Sequence, residues 1–137
     1  MKQLYGLLLG WTIITGLSNC ATETPRFDLD VLQGNWRRIN SNNPNADSML
    51  LKVEGSSGVI LYAPSTSNFS DNELKWTGIT SVVSPRNFVL SDKSADGNLW
   101  EAAILVQEFD GDSIQQFILR NSQFSAAPGG EQTWQRE

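Results

Sequence analysis

The residue types that carry most protein chemistry are scarce in this chain. It has no histidine and one cysteine, Cys20. Lack of histidine removes the commonest general base near neutral pH and the commonest transition-metal ligand. A lone cysteine can form neither an internal disulfide nor a cysteine-rich zinc site. Acid–base work would fall to carboxylates, Lys, Tyr or hydroxyls, and two close pairs of acids invite attention: Asp28 with Asp30, and Asp110 with Asp112. Paired acids cleave glycosides only when they face each other across about 5–9.5 Å. Two acids flanking one turn glycine more often point into solvent. Asp92-Lys93-Ser94-Ala95-Asp96-Gly97 begins like a calcium loop, but the residue six places after the glycine is Ala103, and the flanks read as strands rather than helices. A hairpin turn is the better reading. These residues predict a chain that is not an enzyme and has no cofactor or metal site.

Net charge excludes another class. The formal charge is −5, and Arg37-Arg38 is the only adjacent basic pair. An acidic chain with scattered cations lacks the electrostatic footprint that nucleic acid requires. Nucleic acid is not expected as a partner.

Lys2 precedes an uncharged run from Leu4 to Leu17. That run is short for a membrane span of about 20 residues and suits the apolar region of a secretory signal. Leu17-Ser18-Asn19-Cys20 closes it and resembles the lipobox of bacterial lipoproteins, with Asn19 where a smaller residue is usual. The resemblance implies residues 1–19 as a signal peptide and Cys20 as the lipidated first residue of the mature chain. Several acyl chains would give stable membrane attachment. Residues 20–26 would then be the lipidated cysteine and a short tether. Ala21 after the cysteine implies outer-membrane delivery where the host has two membranes. Cleavage of an ordinary signal nearby, for instance after Ala21, is the alternative. Both place the domain outside the cytoplasm, in a bacterial cell envelope.

From Phe27 to Glu137 the pattern predicts one all-β domain. Phe27–Leu32 suits a single helical turn, with Asp28 or Asp30 as its cap. Eight short runs rich in β-branched and aromatic residues follow, separated by turn formers. They are Asn35–Ile39, Met49–Glu54, Gly58–Tyr62, Glu73–Ile79 (extending toward Val83), Asn87–Leu90, Leu99–Phe109, Ser113–Arg120 and Gln132–Arg136. In the sixth, Trp100, Ala102, Ile104 and Val106 share one face, as in an antiparallel sheet buried on one side. Trp36, Trp76, Trp100 and Trp134 each fall within a strand, which predicts that most are buried.

Asp28 to Trp36, with Gly34 and Trp36 as Gly-x-Trp, resembles the N-terminal signature of lipocalins. Thr133-Trp134-Gln135-Arg136 ends the chain as small bacterial lipocalin-like lipoproteins end. The resemblance implies an eight-stranded antiparallel up-and-down barrel with a helical turn before strand 1. The turn and Trp36 would plug one end, and a basic residue of the last strand would pack over the indole. Arg136 is the first candidate for that residue and Arg120 the second. Biotin-binding barrels open in a similar way, but their polar ligand contacts are not found here. A barrel of this size is filled by side chains or holds one small ligand. Leu51, Val53, Leu61, Trp76, Phe88, Leu90, Leu105 and Phe117, with Met49, are the candidate pocket lining, and they serve equally as solid core. The expected function is a membrane-anchored barrel binding a small apolar or amphipathic ligand. The alternative is a solid-core structural or protein-interaction module of the envelope.

Overall fold

The computed structural model describes residues 23–40, 43–83, 86–121 and 130–137. Cys20 and the leader lie outside the described residues. Eight antiparallel strands run in chain order: β1 Gly34–Ile39, β2 Leu50–Glu54, β3 Ser57–Tyr62, β4 Leu74–Ser81, β5 Phe88–Lys93, β6 Leu99–Asp110, β7 Ser113–Asn121 and β8 Glu131–Arg136. Each pairs with its neighbour in sequence, and β8 returns to β1, so the sheet is a closed up-and-down barrel. The expected fold class is the one found. Closure leaves no free sheet edge. Trp36 stands opposite Arg136, and Arg38 opposite Trp134, across that closing seam. No helix among the described residues is long and apolar enough to cross a membrane.

Two local details differ from the sequence reading. The turn before β1 is a 3-10 helix, Leu29–Leu32, and Asp28 at its N-cap makes no side-chain capping bond. Four residues leave few orphan amides to cap. A second 3-10 turn, Pro44–Ala46, forms in a segment that reads as loop.

Because strands alternate in direction, the barrel has two distinct ends. One carries the 3-10 turn Leu29–Leu32 and the β2–β3, β4–β5 and β6–β7 connections. There the Trp36 indole N–H donates to the Leu32 carbonyl at 2.8 Å. The Arg136 guanidinium lies 4.3 Å from the Trp36 ring centre. It donates to the carbonyls of Ile114 (2.6 Å), Gln33 (2.9 Å) and Val31 (2.7 Å). Gly34 has φ +117°, and a Cβ there would meet an Arg136 nitrogen at 3.1 Å, so this approach favours glycine. Gln33 fastens the turn to the β2–β3 hairpin through the Gly55 carbonyl and amide. This end is closed.

Above the plug runs a stack of rings. Trp36 meets Phe117 at 4.7 Å, Phe117 meets Trp76 at 5.9 Å, and Trp76 meets Trp134 at 5.0 Å between centres, all tilted or edge-on. All four side chains are fully buried. Tilted aromatic pairs of this kind add about 0.5–1.5 kcal/mol each beyond their buried area. Gly58 permits the packing, since a Cβ there would lie 2.9 Å from Trp76 and 3.0 Å from Leu51.

Candidate functional site

The opposite end is built differently. At the last inward position of each of six strands stands a side chain with a polar or half-exposed character: Arg38 of β1, Lys75 of β4, Asp92 of β5, Trp100 of β6, Asn121 of β7 and Gln132 of β8. With the β1–β2, β3–β4 and β5–β6 connections they bound an open cavity of about 500 Å³. That volume lies within the range of small-molecule sites.

Local geometry explains how charges reach the interior. Arg38 follows Trp36 by two residues, so the pleat sends both inward. Asp92 follows Phe88 and Leu90 at the same spacing. Lys75 breaks the rule, because Trp76 beside it is also buried. Gly58 pairs with Trp76 while Val59 pairs with Leu74, which leaves Lys75 as an extra residue on β4. A β-bulge of this kind re-aims one side chain.

A buried network holds these groups in place. The Lys75 ammonium donates to Asp92 Oδ1 at 2.7 Å and to the Lys93 carbonyl at 3.0 Å, and lies 4.6 Å from the Phe69 ring centre. Gln132 donates to Asp92 Oδ2 at 2.8 Å and accepts from the Trp134 indole at 3.1 Å. Both oxygens of Asp92 are thus engaged. Burial pushes the Lys75 ammonium below its ordinary pKa against the pull of Asp92, and the nearby Arg38 charge pushes it the same way.

Arg38 is the exception within this network. Its side chain is 2% exposed, and neither Nε nor Nη2 has a hydrogen-bond partner. Burial lowers its pKa to about 10, opposed by the charges of Asp92 and Asp47. It remains a cation at neutral pH. A buried, unmatched charged donor is costly, and native structures rarely keep one without a reason.

The residues singled out from sequence divide into groups. Leu51, Val53, Trp76, Phe88, Leu90 and Phe117, with Met49, are fully or nearly fully buried, but none of them lines the cavity. They pack as solid core. Two placements are corrected. Leu61 is 39% exposed on the outer face beside inward Ile60, and Leu105 is half-buried on the opposite face of β6 from Ile104. Gly34, Trp36 and Arg136 meet at the closed end. Arg120 instead pairs with Glu131 at 2.8 Å on the surface, away from the indole. Asp28, Asp30, Asp110 and Asp112 are all exposed. Asp96 is tied within its own turn, accepting from Ser94 and Asn98. Among the described residues no three His, Cys, Asp or Glu side chains gather as a metal site would require.

Sequence reasoning missed Arg38, Lys75 and Gln132 as site residues, took Asp92 for part of a turn, and read Trp100 only as a strand residue among four tryptophans of which most were expected to be buried; three of the four are. Arg38, Asp92 and Gln132 share the pleat parity of buried neighbours, which was the available signal. Comparison with family models, curated proteins and solved structures gives no match for this chain.

Proposed function

We propose that this chain is a non-catalytic, lipocalin-like binding barrel, anchored through Cys20 to a membrane of a bacterial envelope, that carries a small amphipathic molecule in its open-end cavity. The observation that carries this reading is the pairing of a closed, aromatic-filled end with a 500 Å³ opening at the other. The walls of that opening mix amide, hydroxyl and charged side chains with apolar surface that includes the rings of Phe69 and Trp100. They match an amphipathic ligand better than a wholly apolar one. Native mass spectrometry of the full chain, purified gently from its own membrane, tests it. A defined mass excess that leaves on mild activation is expected; a bare protein that gains no mass from any metabolite extract contradicts it. For the anchor, Cys20→Ala is expected to abolish acyl labelling and release the protein from the membrane fraction. Retention of both would contradict lipidation.

One observation favours the interaction-module reading. Leu61, Tyr62 and Leu74 are exposed on adjoining strands β3 and β4. Exposed apolar clusters of this sort mark contact surfaces when they are large. A partner cross-linked at Tyr62 in the envelope, with no small molecule ever recovered, would establish that reading instead.

A further inference from the structure

The deep wall of the cavity is asymmetric in charge. Two cations, Arg38 and Lys75, face one buried carboxylate, Asp92. That carboxylate is already committed: one oxygen accepts from Lys75 and the other from Gln132. Asp47 lies near enough to act on Arg38 through its charge, but it supplies no partner to Nε or Nη2. Asp96, at the rim, is engaged by Ser94 and Asn98. The protein therefore balances Lys75 and leaves one edge of Arg38 unmatched.

That edge has a definite shape. Nε and Nη2 are the two parallel donors through which a guanidinium grips both oxygens of a carboxylate. Resting on the reading of the cavity as a ligand site, we propose that it takes a small carboxylate-bearing molecule, and that Arg38 holds the carboxylate. As the side chain rests, the two nitrogens are sealed from solvent, so a modest turn of the guanidinium into the cavity accompanies binding. The asymmetric wall explains why an acid is preferred over its neutral counterpart. Loss of water from the anion is offset by two charge-assisted bonds and by removal of the unmatched donors. Amide and hydroxyl groups around the opening, with Trp100 and Phe69, face the remainder of the molecule. A hydroxylated acid and a short aliphatic acid share the recognised group and differ only there.

Calorimetric titration of the full chain with sodium glucuronate and sodium octanoate, beside methyl glucoside and octanol, tests the proposal and separates the two ligand bodies. At least one acid is expected to bind at least tenfold more tightly than its neutral counterpart. Arg38→Met is expected to weaken that acid at least tenfold while leaving the neutral compound unchanged. Arg38→Lys, which keeps the charge and loses the fork, is expected to fall between. A melting curve for Arg38→Met no lower than the parent separates lost recognition from lost folding. Equal binding of acid and neutral counterpart, or undiminished acid binding by Arg38→Met, overturns the proposal and leaves the ligand-holding barrel standing. Binding of inorganic phosphate without any carboxylate overturns the carboxylate assignment. Binding of no probe, charged or neutral, counts against the cavity reading as well.

Discussion

Replacing Arg38 by methionine should make the ligand-free barrel more stable. Most substitutions of a fully buried, long side chain do the reverse. The magnitude follows from the titration of the group. A guanidinium whose pKa falls from its ordinary value to about 10 is charged in the fold at the expense of about 3 kcal/mol, at about 1.4 kcal/mol per pH unit. The sign follows from proton linkage. Between pH 10 and the ordinary arginine range the unfolded chain holds more protons than the folded one, so stability rises with pH there. Below that window, neutral pH included, the whole cost is present. Methionine keeps most of the apolar stem and removes the charge. Allowing for imperfect packing, we expect Arg38→Met to gain roughly 1–3 kcal/mol. Urea unfolding followed by tryptophan fluorescence at pH 7.5 measures it, as a higher midpoint with an unchanged slope. A loss of 1 kcal/mol or more would instead mean that the guanidinium is matched within the protein.

Other substitutions test the remaining structure. Asp92→Asn strands the Lys75 ammonium and should cost about 3–5 kcal/mol in urea unfolding at pH 7. Because burial holds the Lys75 pKa below its ordinary value, the unfolded chain binds more protons as pH climbs toward that value, so the deficit should shrink as pH rises through this range. Trp36→Ala removes a fully buried indole from the plug and should cost about 3–5 kcal/mol by the same assay. Arg136→Met orphans the carbonyls of Val31, Gln33 and Ile114, and hydrogen exchange should quicken across Leu29–Leu32 while β5 and β6 stay protected. Gly58→Ala drives a methyl against Trp76 and Leu51 and should cost about 1–3 kcal/mol.

The barrel was legible in the sequence because its information is local. Turn formers punctuate runs of β-branched and aromatic residues, and each observed strand falls within a few residues of a predicted one. The plug was legible through Gly34 and Trp36, whose spacing places a tight approach beside a large ring. The cavity was not. Alternation tells which side chains point inward but not how far along the barrel axis they stand, so Leu51 and Phe88 read as candidate lining although they fill the closed half. Leu61 was misjudged by hydrophobicity alone, since Gly58 and Ile60 already set the inward parity of β3. Asp92 looked like part of a turn because β5 continues to Lys93, past the last apolar residue. Lys75 was the least legible, because a bulge in register decides its direction and leaves no mark in the composition.

The barrel is solid at one end and hollow at the other. A crystal structure of the barrel domain at atomic resolution measures that directly. Density for a small molecule or ordered water is expected between Arg38, Lys75 and Trp100, with Arg38 Nε and Nη2 turned to meet it. Rim loops folded inward to fill that space, with protein acceptors on both nitrogens, would contradict it.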